Sequence, residues 1–339
     1  MAKESMVSII TPCYNSAKFI NKLFDSVLNQ TYSNIEFIVV NDGSVDNTEE
    51  VILSYSERFE KSGIKFIYIK KENGGVASAI NRGLEIFSGE YVTWPDSDDW
   101  MTPDCIEKKV NALQNNPECG VVIGKLDLYI EENGKHIGSI KFKDTKKRNI
   151  FDELINENGI YVAPIGWMAK SSALLETCPN RKIDDSNRMG QNWQLMLPLC
   201  YSYPCVFIDD TVGGYLIRSN SLSHAEKTLE DRYEKENQFL ELKVNALKSI
   251  TKMNELDKEK YHSMILQKYA RMKLMLAVKL KNKNYVKMAY GDIEANGKVA
   301  FSDKVLYLRG KSKGFDLVCK VLCLPRRAFR SLVRRVKQR

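Results

Sequence analysis

Histidine is scarce in this chain of 339 residues: three copies, widely separated at positions 136, 224 and 262. That scarcity argues against a zinc site and against a histidine-dependent nucleophile. No two of the eight cysteines form a Cys-x-x-Cys pair. Most lie beside apolar residues and read as reduced core thiols rather than metal ligands. No uninterrupted apolar run is long enough to span a bilayer, and Met1-Ala2-Lys3-Glu4-Ser5 lacks the apolar core of a signal peptide. The protein is therefore expected to be made and kept in the cytoplasm. Internal repeats and low-complexity segments are missing too.

What is present is enough chain for one large domain plus an appendage. Its charge is uneven. Residues 303–339 carry twelve Lys and Arg against two Asp, a net of +10, so a formal +8 overall leaves the first 302 residues near −2. The basicity belongs to the tail.

Strand and helix patterns alternate through the first hundred residues. Val7–Ile10, Ile35–Val40, Ile64–Ile69 and Glu90–Trp94 read as strands. Ala17–Leu28, a segment from Asp46 to about Phe59, and Val76–Phe87 read as helices. This order predicts βαβ units, hence an α/β fold with a mostly parallel sheet flanked by helices. Ligands of such sheets bind beyond the carboxyl ends of the strands, where Pro12–Tyr14, Asn41-Asp42, Lys71–Gly75 and Asp96–Asp99 fall. Further on, Val121–Tyr129 and Ile137–Phe142 suggest a hairpin, Tyr161–Met168, Cys205–Ile208 and Val212–Ile217 suggest strands, and Asn192–Tyr201 suggests a helix. From residue 226 the period is helical and highly charged. The predicted organisation is a catalytic domain over 1–225, a helical extension over 226–300 and a basic amphipathic tail over 301–339.

Asp96-Ser97-Asp98-Asp99 directly follows the apolar Tyr91-Val92-Thr93-Trp94. Three carboxylates in four positions repel one another, and partial burial makes their ionisation harder. A divalent cation relieves both penalties, and Mg²⁺ and Mn²⁺ take carboxylate and phosphate oxygens. The alternative is a solvated loop whose Asp99 caps the helix that Thr102-Pro103 begins.

Five blocks in order, Ser8–Asn15, Ile38–Asp46, Asn73-Gly74-Gly75, Asn81-Arg82-Gly83 and Asp96–Asp99, make residues 6–222 resemble the family 2 glycosyltransferases. The resemblance implies the GT-A fold, a Rossmann-like architecture of nucleotide-diphospho-sugar transferases. It also implies a UDP-sugar donor, Mg²⁺ or Mn²⁺ as cofactor, and transfer to a glycan acceptor. By that resemblance Thr11, Pro12 and Tyr14 border the uracil, and Asp42 accepts from its ring N–H. Asn73, Gly74 and Gly75 let the backbone approach the nucleotide. Asp96 contacts the ribose or sugar, Asp98 holds the metal, and Asp99 is a supporting ligand or a cap. Arg82 reaches the donor phosphates or lies on a solvated helix face. Arg218, at the head of Ser219-Asn220-Ser221-Leu222-Ser223-His224, resembles the family's diphosphate-closing segment.

One block departs from the pattern. The family's Glu-Asp pair, source of the general base, aligns with Gln191-Asn192. A neutral amide cannot take a proton at neutral pH. Either Asp184 or Asp185 supplies the base, with Asp185 preferred, or activity is lost and the chain is a nucleotide-sugar-binding scaffold. Gln191 and Asn192 could still hydrogen-bond a sugar. A sugar nucleotidyltransferase is the remaining alternative, but Pro12–Ser16 is not a Gly-rich, basic triphosphate loop.

The tail interleaves Phe315, Val318, Leu322, Phe329, Leu332, Val333 and Val336 with Lys320, Arg326, Arg327, Arg330, Arg334 and Arg335. Such basic amphipathic segments favour anionic membrane surfaces. No nucleic-acid-binding motif accompanies it. The expectation is a peripheral protein on the inner face of a bacterial cytoplasmic membrane, acting on a lipid-linked glycan for capsule, exopolysaccharide or lipopolysaccharide.

Overall fold

A computed structural model describes residues 5–140, 142, 144–160, 163–186, 190–218, 228–312 and 314–316. The chain forms two compact units, Met1–Ala225 with Leu242–Asn254, and Glu226–Glu241 with Glu255–Arg339.

The first unit carries β1 (Val7–Cys13), α1 (Ile20–Leu28), β2 (Ile35–Asp42), α2 (Thr48–Ser54), α3 (Ser56–Ser62), β3 (Lys65–Lys71), α4 (Val76–Ile86) and β4 (Tyr91–Thr93). It continues with β5 (Trp100–Met101), α5 (Cys105–Gln114), β6 (Val121–Ile130), β7 (His136–Ser139), α6 (Phe151–Ile155), β8 (Trp167–Lys170), α7 (Ser171–Thr177), α8 (Gln191–Ser202) and β9 (Cys205–Ile217). Among the described residues these nine strands form one sheet, ordered β3-β2-β1-β4-β8-β6-β9-β5, with β7 paired to β6. The first four strands run parallel. Beyond them β8 is antiparallel to both β4 and β6, making the sheet mixed.

Every residue of β1 and β2 is buried, as expected of strands covered by helices on both faces. Polar Glu36 inside β2 is tolerated because each register neighbour answers it. Ser8 of β1 donates at 2.7 Å and Lys65 of β3 at 2.6 Å, and Ser88 adds two further bonds. On one face Phe24, Phe37, Phe59 and Phe66 interlock, with Phe24 edge-on to Phe37 at 5.2 Å and Phe59 stacked on Phe66 at 4.7 Å. Burial of Phe24, Phe37 and Phe59 stabilises the fold by about 1.5–3 kcal/mol for each ring.

Three elements differ from the sequence expectation. The segment after Asp46 is two helices, broken at Tyr55. The stretch expected as a strand over 161–168 contains a 3₁₀ turn at Pro164–Gly166, and β8 starts only at Trp167. Pro164 has no N–H for a ladder and suits the first position of a turn. The two strands expected at 205–217 are one strand, whose pairing with β6 shifts register around Lys125.

The helices α9 (Leu229–Lys248), α10 (Glu255–Leu280), α11 (Lys283–Asn296) and α12 (Phe301–Lys311) complete the described chain. In the second unit Leu274, Ala277, Val286, Ala289 and Ile293 form a small core. Arg271 pairs there with the buried Asp303 at 3.1 Å. Among the described residues no helix is long and apolar enough to cross a membrane. Most of the basic tail, from residue 317, lies outside the described residues, as does His224 with residues 219–227.

Candidate functional site

The strand order creates the site. From β1 the chain steps outward to β2 and β3, then returns to place β4 on the other side of β1. At such a reversal the carboxyl ends of the two central strands diverge and leave a crevice. The β1–β4 ladder ends at Ile9 opposite Thr93, so Trp94–Asp99 leaves the sheet there. The chain re-enters as β5, with Trp100 opposite Gly214 of β9. A Cβ on Gly214 would come within 2.1 Å of the Trp100 ring, so only glycine admits this approach. The acidic loop is thus pinned at both ends, and the last residues of β9 lie beside it.

Asp99 is fully buried and accepts from the Leu216 N–H at 3.1 Å. It is therefore not a cap of α5, and its second oxygen is buried without a hydrogen-bond partner. Burial, with Asp98 and Asp96 beside it, pushes its carboxyl well above the usual range. Burial and Asp98 also push Asp96 up, to about 7, against the pull of Arg218. Asp98 is raised by burial despite its ion pair with Arg218 at 3.1 Å, and Glu131 adds a further negative field. The Arg218 guanidinium also lies 4.5 Å from the centre of the Phe19 ring. Lys18 sits 5.1 Å from that ring and bonds Glu131 at 2.7 Å.

This donor set fits a hard divalent cation. Three carboxylates share a desolvated loop, one arginine compensates them, and one buried oxygen has no partner. Among the described residues no three His, Cys, Asp or Glu side chains form a ready cage. A cation here would complete its shell with other oxygens, as Mg²⁺ and Mn²⁺ do on phosphates.

On the other side of the crevice, Tyr14 is 51% exposed, whereas the side chains of Thr11 and Pro12 are buried in β1. Of that trio Tyr14 alone presents its side chain to solvent. Asn15, at φ 49°, ties this loop to the next: its N–H bonds Ser44 at 3.0 Å and its side chain accepts from Val45 at 2.9 Å. Ser16 bonds Ser97 at 2.7 Å, joining the same loop to the acidic one. Asp42 accepts from Gly74 N–H at 3.0 Å, Gly75 N–H at 2.7 Å and Lys71 at 2.7 Å. It holds the Asn73-Gly74-Gly75 turn against β2. Gly75 needs its glycine for φ 89°, and a Cβ on Gly74 would sit 2.6 Å from Ser78 Oγ.

The Asn81-Arg82-Gly83 block divides into three separate jobs. Gly83 lets α4 press on β1, since a Cβ would meet Ile10 at 2.2 Å. Buried Asn81 reaches the 183–185 segment, donating to Ile183 O at 3.0 Å and Asp185 at 3.4 Å and accepting from Ile183 N–H at 2.9 Å. Arg82 lies exposed on α4 and pairs with Glu85, an arrangement of the solvated helix face. Gln194 clamps the backbone of Asp184 through two 2.8 Å bonds. Bonds from Ser186, supported by Asn245, hold the Asp184 carboxyl below its usual range. Asn192 accepts from the Trp94 indole at 3.1 Å, which brings the start of α8 to the root of the acidic loop, and Gln191 beside it is buried.

Phe19, Lys18 and Glu131 were not read as site residues from the sequence. Their neighbours belong to other strands, and only the sheet order brings them together. Glu131 follows β6, and its N–H bonds Ile217 O at 3.1 Å, one residue before Arg218.

Residues 8–173 match the family model described as Glycosyl transferase family 2. An uncharacterized glycosyltransferase of Rickettsia typhi is 46% identical over 118 residues, which is 35% of this chain and 35% of that protein. Glycosyltransferase GlyA of Streptococcus pneumoniae is 31% identical over 232 residues, 66% of this chain and 32% of GlyA. The chain spans 21–35% of the length of the first curated relatives it matches. Among solved structures, S. aureus TarS 1–349 superposes with a TM-score of 0.62 at 20% identity, covering 92% of this chain and 88% of that one. A structure of the same fragment in complex with UDP-GlcNAc superposes with a TM-score of 0.57 at 17% identity, covering 89% and 90%. Mannosyltransferase PcManGT of Pyrobaculum calidifontis, in complex with GDP-Man and Mn²⁺, superposes at 0.55 with 18% identity, covering 97% and 84%. These likenesses show the fold to be GT-A.

Proposed function

We propose, for a chain whose residues 8–173 match the Glycosyl transferase family 2 model, that it moves a sugar from a UDP-sugar to a hydroxyl of a glycan acceptor, with inversion and with Mg²⁺ or Mn²⁺. The observation that carries this reading is the desolvated Asp96–Asp99 loop at the sheet's reversal point, with an unpartnered buried oxygen on Asp99. Solved neighbours of the same fold hold UDP-GlcNAc in one case, GDP-Man with Mn²⁺ in another.

Asp98, backed by Asp96 and Asp99, would hold the cation, which supplies charge stabilisation for the departing nucleoside diphosphate. Tyr14 offers an exposed ring for the base. The Asn73-Gly74-Gly75 turn, held in shape by Asp42 through the Gly74 and Gly75 N–H groups, is proposed to let the nucleotide approach the backbone. Asp185 is the proposed general base. It takes the acceptor hydroxyl's proton as that oxygen bonds to the anomeric carbon and the bond to the diphosphate breaks. Asn81 positions it. Asp184 is the poorer base, because its hydrogen bonds favour the carboxylate and lower its proton affinity. Asn192, anchored to Trp94, and Gln191 are sugar-positioning amides. Arg218 carries a charge suited to the diphosphate. The pathway reading is synthesis of a lipid-linked surface polysaccharide, with the basic tail at an anionic membrane on the cytoplasmic side.

A panel of nucleotide sugars incubated with the protein, Mn²⁺ and candidate acceptors tests this. Release of UDP from one donor supports it. Binding without turnover points to a scaffold, and a requirement for a nucleoside triphosphate with pyrophosphate release points to a nucleotidyltransferase.

A further inference from the structure

Arg218 is the cation that the Asp98 carboxylate contacts among the described residues, at 3.1 Å. Both partners are mostly shielded, with side chains 22% and 19% exposed. The guanidinium is not held by the acid alone, since the Phe19 ring lies 4.5 Å from its central carbon. Its backbone is placed as firmly. Leu216 N–H is bonded to Asp99, and Ile217 O accepts from Glu131, so the two residues before Arg218 are tied to the acidic loop and to β6. A positive charge is therefore built into the place where the acidic loop needs one, before any ligand arrives.

We propose that Arg218 is a resident counter-ion that the divalent cation must displace from Asp98, and that the displaced guanidinium then takes the donor diphosphate. This rests on the metal-dependent donor reading above and adds an order to it. While Arg218 pairs with Asp98, the carboxylate offers a metal alone only a competed site, so its apparent affinity falls by the fraction of protein in the paired state. A nucleoside diphosphate brings its own negative charge to the same place. It supplies oxygens to the metal and a new partner to Arg218, whose anchor over Phe19 keeps it within reach. Metal and nucleotide are then coupled through one side chain, and each strengthens the other by the same factor. The device also keeps the acidic loop folded when the site is empty, since removing its cation leaves three desolvated carboxylates uncompensated.

The test is a titration of Mn²⁺ into the full chain, free Mn²⁺ being read by electron paramagnetic resonance, with and without saturating UDP. Wild type should bind Mn²⁺ weakly alone and at least about tenfold more tightly with UDP. Arg218→Met should bind Mn²⁺ alone about tenfold more tightly than wild type, while its gain on adding UDP shrinks. Arg218→Lys retains a cation and should resemble wild type for the metal alone. Should Arg218→Met melt too low to titrate, Phe19→Leu loosens the same guanidinium without uncovering the acids. It should shift Mn²⁺ binding in the direction of Arg218→Met by a smaller factor. Wild type that binds Mn²⁺ with UDP, beside variants with unchanged affinity for the metal alone, overturns this inference and leaves the donor reading standing. Wild type that binds no Mn²⁺ even with UDP overturns both.

Discussion

At the scale of single residues the molecule depends on carboxylates that are largely withdrawn from water. Glu36 and Asp98 solve this differently. Burial alone would raise Glu36, but bonds from Lys65, Ser8 and Ser88 outweigh it and hold the carboxyl below its usual value of 4.5. A depressed carboxyl contributes stability above its unfolded value and loses it as the pH falls through the folded one. Thermal melts from pH 6 to pH 3 should therefore fall more steeply for wild type than for Glu36→Gln, which should be the less stable of the two at pH 7. Asp98 has no such set of donors. Asp98→Ala should abolish sugar transfer and Mn²⁺-dependent nucleotide binding while leaving the melting temperature unchanged or raised, as one repelling charge has gone. Turnover by that variant would remove Asp98 as metal ligand. The acidic loop was legible in the sequence because three Asp in four positions need a reason. The partner of Asp98 was not, because Arg218 is 120 residues away and only β5 pairing with β9 brings it back. Asp42 shows the same limit: its place at a strand end was readable, its bonds to Gly74 and Gly75 were not.

At the scale of elements, α4 links the two sides of the site. Its first residue follows the Gly74-Gly75 turn, its Asn81 holds Ile183 and Asp185, and its Gly83 lies on Ile10. Gly83→Ala should lower stability by about 1–3 kcal/mol, because overpacking against β1 outweighs the better helix propensity of alanine. Denaturant unfolding measures that directly. Asn81→Ala should leave nucleotide binding near wild type and lower kcat, since it frees the 183–185 segment rather than the donor side. Asp185→Asn should lower kcat further in the same UDP-release assay. An unchanged rate would move the base to Asp184 or elsewhere. Strands β1 to β4 could be read from the sequence because their apolar runs end in glycine, asparagine and aspartate. The region after residue 120 could not be read as well. Antiparallel pairing, a register shift at Lys125 and a proline-led 3₁₀ turn depend on neighbours far along the chain.

At the scale of the whole molecule, charge and topology separate the roles. A nearly neutral body carries the crevice, and the positive charge is collected beyond residue 302. Sheet order alone makes one edge of that body polar, gathering Tyr14, Asp42, Gly74, Gly75, Asp96–Asp99 and Arg218 through direct contacts or contacts to one another's loops. The role proposed for that edge is to hold a metal and a nucleoside diphosphate. Isothermal calorimetry of UDP into the full chain, run once with Mn²⁺ and once with chelator, tests it most directly. Saturable binding with Mn²⁺ that is lost in chelator and in Asp98→Ala is the predicted result. Equal binding with and without the metal, or no heat in either, would contradict it.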